Sequence, residues 1–187
     1  MAEKESKNKW HTPAERIMML GFAAVILLGT ILLCLPVSAA DGKSVYWLDA
    51  LFTATTSVCV TGLVTVPTAT TWSTFGKIVI LGLIQFGGLG IMACLTMVFL
   101  ILRRKISLQS RKLIQDTYNL PVLKGSVGIV RKLLIGTAAV ELAGAFFYSF
   151  WFVPEYGFWK GIGYSLFHSV SAFCNAGIDL VGESSFA

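Results

Sequence analysis

Three long apolar runs, separated by more polar segments, dominate the hydrophobic pattern of this chain. Ile17 to Val37 gives 21 uncharged residues, and the run from Phe75 to Leu102 contains 25 uncharged residues from Ile78 onward. A third run extends from Ile129 to Val153. About 20 apolar helical residues cross the roughly 30 Å hydrocarbon core of a bilayer. The pattern therefore predicts three membrane-spanning helices.

A less apolar element occurs twice, each time next to a predicted span. Leu51–Val66 and Leu166–Val181 align without gaps at an offset of 115 residues. Short helices are predicted over Tyr46–Ser57 and Gly161–Phe173, with an outer turn over Pro154–Lys160 before the second. Duplicated elements of this kind are typical of re-entrant loops, and two interfacial loops that share a motif by accident are the alternative. The identical pairs are Leu51 and Leu166, Phe52 and Phe167, Cys59 and Cys174, Gly62 and Gly177, and Val66 and Val181.

The glycine near the end of each copy suggests what the loops do. Non-helical backbone is tolerated at membrane depth only where it is buried in protein or lines a water-filled path. Inward-facing carbonyls replace the hydration shell of a cation in selectivity filters. Glycine enters positive φ without steric cost and so lets successive carbonyls turn towards one axis. We therefore predict ion-binding backbone carbonyls at Cys59, Val60, Thr61, Gly62, Cys174, Asn175, Ala176 and Gly177.

Charge is sparse and unevenly distributed. Charged residues make up 13% of the 187 residues and mean hydropathy is +0.73, whereas a soluble domain is usually about 25% charged. Twelve of the 15 basic residues lie before the first span or between the second span and the start of the third, and Lys43, Lys77 and Lys160 lie elsewhere. The positive-inside rule then places the N-terminus in the cytoplasm. The predicted fold class is an all-α, multi-pass integral protein of the cell membrane, and this distribution of charge argues against a nucleic-acid partner.

The same pattern divides the chain into four segments. Residues 1–16 form a cytoplasmic tail, and residues 17–102 form a first unit of span, pore loop and span. Residues 103–128 form a basic cytoplasmic connector, and residues 129–187 form a second, incomplete unit of span and pore loop. The basic connector is expected to contact lipid headgroups or a protein partner. Its candidate contact residues are Arg103, Arg104, Lys105, Arg111 and Lys112.

Three further features are open to more than one interpretation. Glu141 is a functional candidate because a carboxylate within a span faces protein or water, and pairing with a polar group on a neighbouring helix is the alternative. His168 is interpreted as a packing or hydrogen-bonding residue rather than a proton relay. The glycine run Gly87–Gly90 lacks the G-x-G-x-x-G arrangement of a nucleotide site and predicts close helix packing. The four cysteines contain no C-x-x-C pair, so neither a disulfide framework nor a metal site is indicated.

Five motifs lie in the two loops, their short helices and the second span. They are Trp47–Ala54, Val60–Leu63, Gly82–Gly90, Ser165–Phe173 and Asn175–Gly177. Together they resemble the N-terminal part of a membrane subunit of the Trk/Ktr/HKT potassium-transporter superfamily, nearest the bacterial Ktr type. In that family four repeats, each a span, a pore helix with a filter loop and a second span, surround one pore. The resemblance covers essentially the whole chain and implies the first repeat and most of the second.

The resemblance implies potassium uptake across the cell membrane by the translocating subunit of a Trk/Ktr-type transporter. It also implies a cytoplasmic nucleotide-binding regulatory subunit, a homodimer of the full-length protein, and potassium as substrate without a covalently bound cofactor. Whether sodium is a coupling or activating ion is left open. Plant relatives that favour sodium carry serine at the first filter glycine, so glycine at Gly62 and Gly177 favours potassium. Pro67 and Ile178 depart from the usual bacterial pattern and bear only on fine selectivity.

Two alternatives to transport by this chain are considered. A truncated, non-transporting fragment of such a subunit is one, because two filter loops do not surround an ion. A membrane-embedded enzyme that uses Glu141 and His168 is the other. It is disfavoured because acid–base chemistry needs groups within hydrogen-bond reach, and these two lie on a span and a loop helix. The expectation is therefore a transporter and not an enzyme.

Overall fold

The described part of the chain consists of helices and connecting turns. The computed structural model describes residues 13–90, 93 and 126–181. These residues contain no β-strand and a single β-bridge, between Ala39 and Trp72. The all-α prediction is therefore confirmed for this part of the chain. Its helices are α1 (Pro13–Leu33), α2 (Trp47–Cys59), α3 (Thr68–Thr71), α4 (Thr74–Leu89), α5 (Ser126–Tyr156) and α6 (Phe158–Phe173).

Both predicted short helices are present, as α2 and α6. Helix α2 continues past its predicted end at Ser57 to Cys59. Val60 then closes it in the left-handed conformation, and the Val60 N–H donates to the backbone oxygen of Thr56. A left-handed residue at this point satisfies a carbonyl that the last helical turn would otherwise leave unpaired. The end of α2 is thus set by the backbone of the loop that follows it.

A turn lies within the predicted range Pro154–Lys160, but it is much shorter than predicted. Helix α5 continues through this region to Tyr156, and Gly157 alone separates it from α6. Proline in the last turn of a helix removes only one backbone hydrogen bond, so the helix ends later than the sequence pattern indicates. Gly157 has φ +82°, which is available to glycine at little cost, and reverses the chain in one residue. Helix α6 then packs back along α5 so closely that a Cβ on Gly161 would lie 2.6 Å from the backbone oxygen of Phe152.

The second predicted span is interrupted within the described residues. The sequence predicts one helix over Phe75–Leu102, whereas α4 ends at Leu89. Gly90 ends it with φ +79° and ψ 147°, and the Gly90 N–H donates to the backbone oxygen of Gly87 at 3.2 Å. The prediction of one uninterrupted helix is therefore wrong, because glycine at this position leaves the helical conformation. The rest of this predicted span, apart from residue 93, lies outside the described residues, as do residues 103–125.

The start of α4 packs against the turn that follows α1. Ser73 caps the helix: its Oγ accepts the N–H of Gly76 at 3.2 Å and donates to the backbone oxygen of Val37 at 2.6 Å. Gly76 lies directly against this turn, because a Cβ there would clash with the backbone oxygen of Ser38. The helix start is therefore fixed both by its cap and by the close approach of two backbones.

The helices pack in two groups that meet at α4. Helices α1, α2 and α4 contact one another, α5 packs along α6, and α4 also contacts α6. Their buried apolar side chains form one core, which also includes residues that follow α6. This core therefore fixes the chain beyond α6 as well as the helices. Its members include Leu33, Ala54, Val58, Ile80, Ile84, Phe167, Val170, Ala176, Ile178 and Leu180.

Large apolar side chains also cover much of the outer surface. On α5, Phe147 and Trp151 are each 71% exposed. Among the described helices, Gly128–Tyr156 is long and apolar enough to cross a membrane, and it contains the third predicted span. The apolar segments Met18–Leu33 and Thr74–Leu89 are shorter. Soluble surfaces seldom expose this much contiguous apolar area, so the surface favours contact with lipid.

Gly76→Ala should destabilise the protein, because the added Cβ would strike the backbone oxygen of Ser38. Overpacking of this kind typically costs about 1–3 kcal/mol. The midpoint of thermal unfolding in detergent measures the effect. Gly82→Ala on the same helix is the matched control, since no described atom lies within 4 Å of a Cβ there and alanine is favoured over glycine in helices by about 1 kcal/mol. An equal loss of stability in the two variants would contradict the packing account.

Candidate functional site

The chain reverses direction in the same way after α2 and after α6. Val60 has φ +56° and Gly62 has φ +76°, while Asn175 has φ +58° and Gly177 has φ +66°. The offset of 115 residues pairs Val60 with Asn175 and Gly62 with Gly177. The sequence repeat is therefore matched in the backbone at two positions of each copy. We refer to Cys59–Leu63 as the first loop and to Cys174–Ile178 as the second loop.

Val60 adopts a conformation that β-branched residues rarely adopt. Positive φ is uncommon for any residue with a Cβ and is an outlier for valine. Such outliers persist only where the surroundings over-determine them, and they cluster at functional sites. Here the Val60 N–H bonds the backbone oxygen of Thr56, and Val60 Cγ2 would lie 3.0 Å from a Cβ on Gly87. The first loop is thus a candidate functional site on the basis of its backbone alone.

Hydrogen bonds from the end of α2 hold the first loop. The N–H of Thr61 donates to the backbone oxygen of Thr56 at 3.0 Å, and the N–H of Leu63 donates to Thr56 Oγ1 at 3.0 Å. The hydroxyl oxygens of Thr56 and Thr61 form a further hydrogen bond at 2.5 Å. Thr56 is 3% exposed, so it supports the loop from the protein interior. Side-chain hydroxyls commonly replace secondary structure as partners of local backbone groups.

Ser171 holds the second loop by corresponding bonds. The N–H of Ala176 donates to the backbone oxygen of Ser171 at 2.7 Å, and the N–H of Ile178 donates to Ser171 Oγ at 3.1 Å. The Ser171 hydroxyl donates to the backbone oxygen of Ile178 at 2.6 Å, because Ala176 lacks the hydroxyl that Thr61 supplies in the first copy. Thr56 and Ser171 are themselves related by the repeat offset. Each loop is therefore braced by a hydroxyl at the same place in the preceding helix.

The two loops contact each other at their glycines. A Cβ on Gly62 would lie 2.9 Å from the backbone oxygen of Ala176 and 3.3 Å from the Cα of Gly177. A Cβ on Gly177 would in turn lie 3.3 Å from the Cα of Gly62. The missing side chains at both positions let the two backbones approach this closely. The two predicted filter loops, one from each copy of the repeat, are thus in contact at Gly62 and Gly177.

The backbone carbonyls of the eight sequence-predicted filter residues accept no hydrogen bond from any described residue. Carbonyl groups inside proteins are nearly always paired, so carbonyls in well-braced loops that lack a protein partner are available to water or to a cation. None of the bonds that brace the loops uses them as acceptors. The residues concerned are Cys59, Val60, Thr61, Gly62, Cys174, Asn175, Ala176 and Gly177.

Both preceding helices direct their C-terminal ends at the loops. Helix α2 ends at Cys59 and α6 ends at Phe173, and neither has a basic residue in its last turn. The C-terminal end of a helix carries a partial charge equivalent to roughly −0.5 of an elementary charge. The loops therefore lie where two helix ends favour a cation.

Helix α4 lies against both loops through adjacent glycines. A Cβ on Gly87 would strike the backbone oxygen of Val58, near the end of α2. A Cβ on Gly88 would lie 2.6 Å from the Cβ of Cys174, in the second loop. The prediction of close packing for this glycine run is confirmed at these two positions. Gly90 instead ends the helix, and no described atom lies within 4 Å of a Cβ there.

A chain of polar side chains links α5 and α4 to the second loop. Glu141, which is 6% exposed, accepts hydrogen bonds from Gln85 Nε2 at both carboxylate oxygens, at 2.9 and 2.8 Å. Cys174 Sγ donates to Gln85 Oε1 at 3.4 Å. Of the two interpretations of Glu141, pairing with a polar group on a neighbouring helix is confirmed. The sequence pattern assigned no role to Gln85, and the one signal available was a polar side chain inside an apolar run.

His168 links α6 to the chain beyond the second loop. Its Nδ1 lies 2.8 Å from the backbone oxygen of Tyr164, and its Nε2 accepts the N–H of Leu180 at 3.2 Å. The ring stacks on Phe152 with centroids 4.7 Å apart. These bonds favour the interpretation as a hydrogen-bonding and packing residue. Among the described contacts none joins His168 to Glu141, so the pair does not form an acid–base site.

The remaining expectations from the sequence concern metal ligands, disulfides and basic residues. The described residues contain no group of three or more histidine, cysteine or acidic residues placed to hold a metal ion. Cys34, Cys59 and Cys174 are free thiols, and Cys94 lies outside the described residues. The basic residues of the connector also lie outside them: Arg103, Arg104, Lys105, Arg111 and Lys112.

Comparison with known proteins assigns the chain to a family. The model of the TrkH family, described as a cation transport protein, matches residues 6–187. This chain belongs to the TrkH family. TrkH proteins are membrane proteins of cation transport and not enzymes, so membership of the family argues against a membrane-embedded enzyme.

Relatives of this TrkH chain carry the names of potassium uptake proteins. It is 42% identical over 180 residues, 95% of its length, to the Ktr system potassium uptake protein B of Bacillus subtilis. It is also 42% identical over 184 residues, 98% of its length, to the potassium/sodium uptake protein NtpJ of Enterococcus hirae. The Ktr system potassium uptake protein B of Vibrio alginolyticus is 37% identical over 181 residues, or 97% of this chain. The matches cover 40%, 41% and 39% of these relatives, so this chain spans less than half of their length. The resemblance to Ktr-type membrane subunits is confirmed.

Ser171→Ala should loosen the second loop, because both backbone groups of Ile178 lose their partner. Leaving a buried backbone group unpaired costs about 1–3 kcal/mol, and about 1.4 kcal/mol corresponds to a tenfold change in an equilibrium. Hydrogen–deuterium exchange over residues 174–178 should therefore become about tenfold faster. Ser165→Ala is the matched control, since Ser165 is also buried but bonds the Gly161 oxygen within its own helix. If the loop exchanges at the same rate in both variants, the claim that the Ser171 hydroxyl holds the second loop is wrong.

Proposed function

We propose that this chain contributes the first part of a pore through which potassium enters the cell, as the translocating subunit of a Trk/Ktr-type transporter. One observation carries the proposal. Two braced loops meet at Gly62 and Gly177, and the carbonyls of the eight predicted filter residues accept no hydrogen bond from any described residue. Membership of the TrkH family and the names of the Bacillus and Vibrio relatives support it.

In this proposal the chain supplies two loop-bearing units of the pore. Residues 17–102 form a span, a pore helix with a filter loop and a second span, and residues 129–187 form a further span and pore loop. Helices α2 and α6 are the pore helices. The contacts of α2 with α1 and α4, and of α6 with α5, support this division. Residues 1–16 are the cytoplasmic tail and residues 103–128 the cytoplasmic connector.

Conduction follows from the chemistry of the loops. A cation that enters the pore exchanges its hydration water for backbone carbonyl oxygens. The N–H groups of Thr61 and Ala176 remain bonded to the preceding helices, so the carbonyls are held in place while an ion passes. The C-terminal ends of α2 and α6 add a favourable potential. The complete filter requires further loops, because a ring of carbonyls has to surround the ion.

Potassium is the proposed substrate. Glycine at Gly62 and Gly177 meets two needs at once, the positive φ of the loop and the close contact between the loops. A larger residue at either position displaces the carbonyls that the ion contacts. Sodium is the proposed coupling or activating ion, because the Enterococcus relative is named a potassium/sodium uptake protein.

The proposed location and partners follow from charge and from the relatives. We place the protein in the cell membrane with several spans and a cytoplasmic N-terminus, because most basic residues lie in the tail and near the connector. Two relatives are components of a Ktr system, a name that implies a further component. We propose that this component is a cytoplasmic nucleotide-binding regulatory subunit and that the full-length protein is a homodimer. Membrane lipids are the remaining partner.

Gly62→Ser in the full-length transporter should lower the preference for potassium over sodium about tenfold. A Cβ there would lie 2.9 Å from the backbone oxygen of Ala176. Left-handed backbone also costs a residue with a Cβ roughly 1–2 kcal/mol, and about 1.4 kcal/mol is tenfold in relative ion binding. The ratio of potassium to sodium uptake into proteoliposomes measures the change.

Gly42→Ser is the matched control for this experiment. Gly42 has φ +72°, so its substitution carries a similar backbone cost, but no described atom lies within 4 Å of a Cβ there. Gly42 belongs to the turn between α1 and α2, away from both loops. Its variant should keep the uptake ratio of the unmodified protein. Equal ratios in the two variants would show that Gly62 is only a turn residue.

Reversing the charge at Arg111 and Lys112 should weaken binding of the regulatory subunit. Both residues belong to the proposed cytoplasmic connector, where cations complement an acidic surface of a partner. Co-purification of the subunit with full-length transporter carrying Arg111→Glu and Lys112→Glu measures the effect, while membrane insertion should be retained. Lys43→Glu, in the turn between α1 and α2, is the control. Unchanged co-purification of the double variant would remove the docking role.

A further inference from the structure

Side-chain hydrogen bonds connect Glu141 to Gln85 and Gln85 to Cys174, which belongs to one of the two proposed filter loops. Glu141 lies on α5, Gln85 on α4 and Cys174 at the start of the second loop. The Gln85 amide group donates from Nε2 to both oxygens of Glu141 and accepts the Cys174 thiol at Oε1. A side chain on one helix thereby connects a buried carboxylate to the loop.

The carboxylate determines which way the Gln85 amide faces. Both oxygens of Glu141 accept from the NH₂ group of Gln85, which leaves the amide oxygen to accept from Cys174. Glu141 is itself held in register, because Ser169 Oγ on α6 donates to its backbone oxygen at 2.6 Å. In surroundings of low dielectric, connected hydrogen bonds strengthen one another. The orientation of Gln85 towards the loop therefore depends on Glu141.

Among the described residues, the second loop has this support and the first loop does not. Cys59, the counterpart of Cys174, is exposed, whereas Cys174 is half-buried. The first loop approaches α4 at Gly87 through the side chain of Val60, next to the backbone of Val58 in α2, and no described hydrogen bond joins this loop to α4. The second loop approaches the same helix through a side chain, with Cys174 against Gly88. Two loops with matching backbones are thus held to α4 by different means.

We infer that Gln85 and Glu141 are positioning residues for the second filter loop and determine part of the selectivity for potassium. The inference rests on the proposed function. Filter selectivity depends on the number and placement of the carbonyl oxygens around the ion. A loop that loses its contact with Gln85 has more freedom to bring its carbonyls closer together, which favours the smaller sodium ion. Neither residue needs to touch the ion for this effect.

The test compares variants of the full-length transporter in proteoliposomes by their ratio of potassium to sodium uptake. Gln85→Leu and Glu141→Leu should each lower the ratio about fivefold, and the double variant should lower it no further, because both break the same connection. Glu141→Gln keeps an oxygen that accepts from Gln85 and should restore most of the ratio. Cys174→Ala removes the thiol, keeps the backbone carbonyl and leaves the helices intact, so it should lower the ratio even if a leucine variant fails to fold.

Ser149→Ala is the matched control on α5, since its hydroxyl bonds the Phe146 oxygen of its own helix, and it should keep the ratio. Thermal unfolding of each variant separates selectivity from stability: reduced stability with an unchanged ratio in Gln85→Leu and Cys174→Ala would overturn the inference.

Gly177→Ser distinguishes this failure from failure of the proposed function. If Gly177→Ser lowers the ratio and the variants at Gln85, Glu141 and Cys174 do not, only the inference is overturned. If Gly177→Ser also leaves it unchanged, the proposed filter is wrong as well.

Discussion

A backbone carbonyl that is to receive a passing cation cannot at the same time be an acceptor in secondary structure. The two loops of this chain are held mainly through their N–H groups, which leaves the carbonyls of the eight predicted filter residues without a donor among the described residues. Thr56 and Ser171 each use both a backbone oxygen and a hydroxyl oxygen to bind N–H groups of the loop that follows. A hydroxyl suits this position because it accepts and donates at once. The left-handed residues at the end of each helix then turn the chain away from helical pairing.

Helix α4 is the common support of both loops. Adjacent glycines let its backbone reach the end of α2 on one side and Cys174 on the other, as small residues do at helix contacts in membranes. Gln85 on the same helix adds the polar connection to Glu141. Because one helix contacts both loops, a displacement of α4 is transmitted to both at once.

Two ionisable side chains inside this apolar protein, Glu141 and His168, have partners that explain their positions. A carboxylate within a membrane span is costly unless it is paired, and Glu141 meets this condition through the two bonds from Gln85. His168 uses both ring nitrogens on backbone groups, one in α6 and one beyond the second loop. Each of these side chains fixes one segment of backbone relative to another. Interior polar groups that make all of their hydrogen bonds rigidify a structure in this way.

Properties that depend on local sequence were determined by the sequence itself. The apolar runs, the repeat at 115 residues and the need for glycine at Gly62 and Gly177 follow from hydrophobicity and from the φ preferences of single residues. Helix ends were predicted less well, because proline in a last turn and glycine inside an apolar run each permit two outcomes. The tertiary structure alone decided that Gln85 pairs with Glu141, 56 residues away, and with Cys174, 89 residues away. It alone also brought Gly62 against Gly177. Such contacts depend on how whole helices pack, and no local pattern specifies the relative placement of two helices.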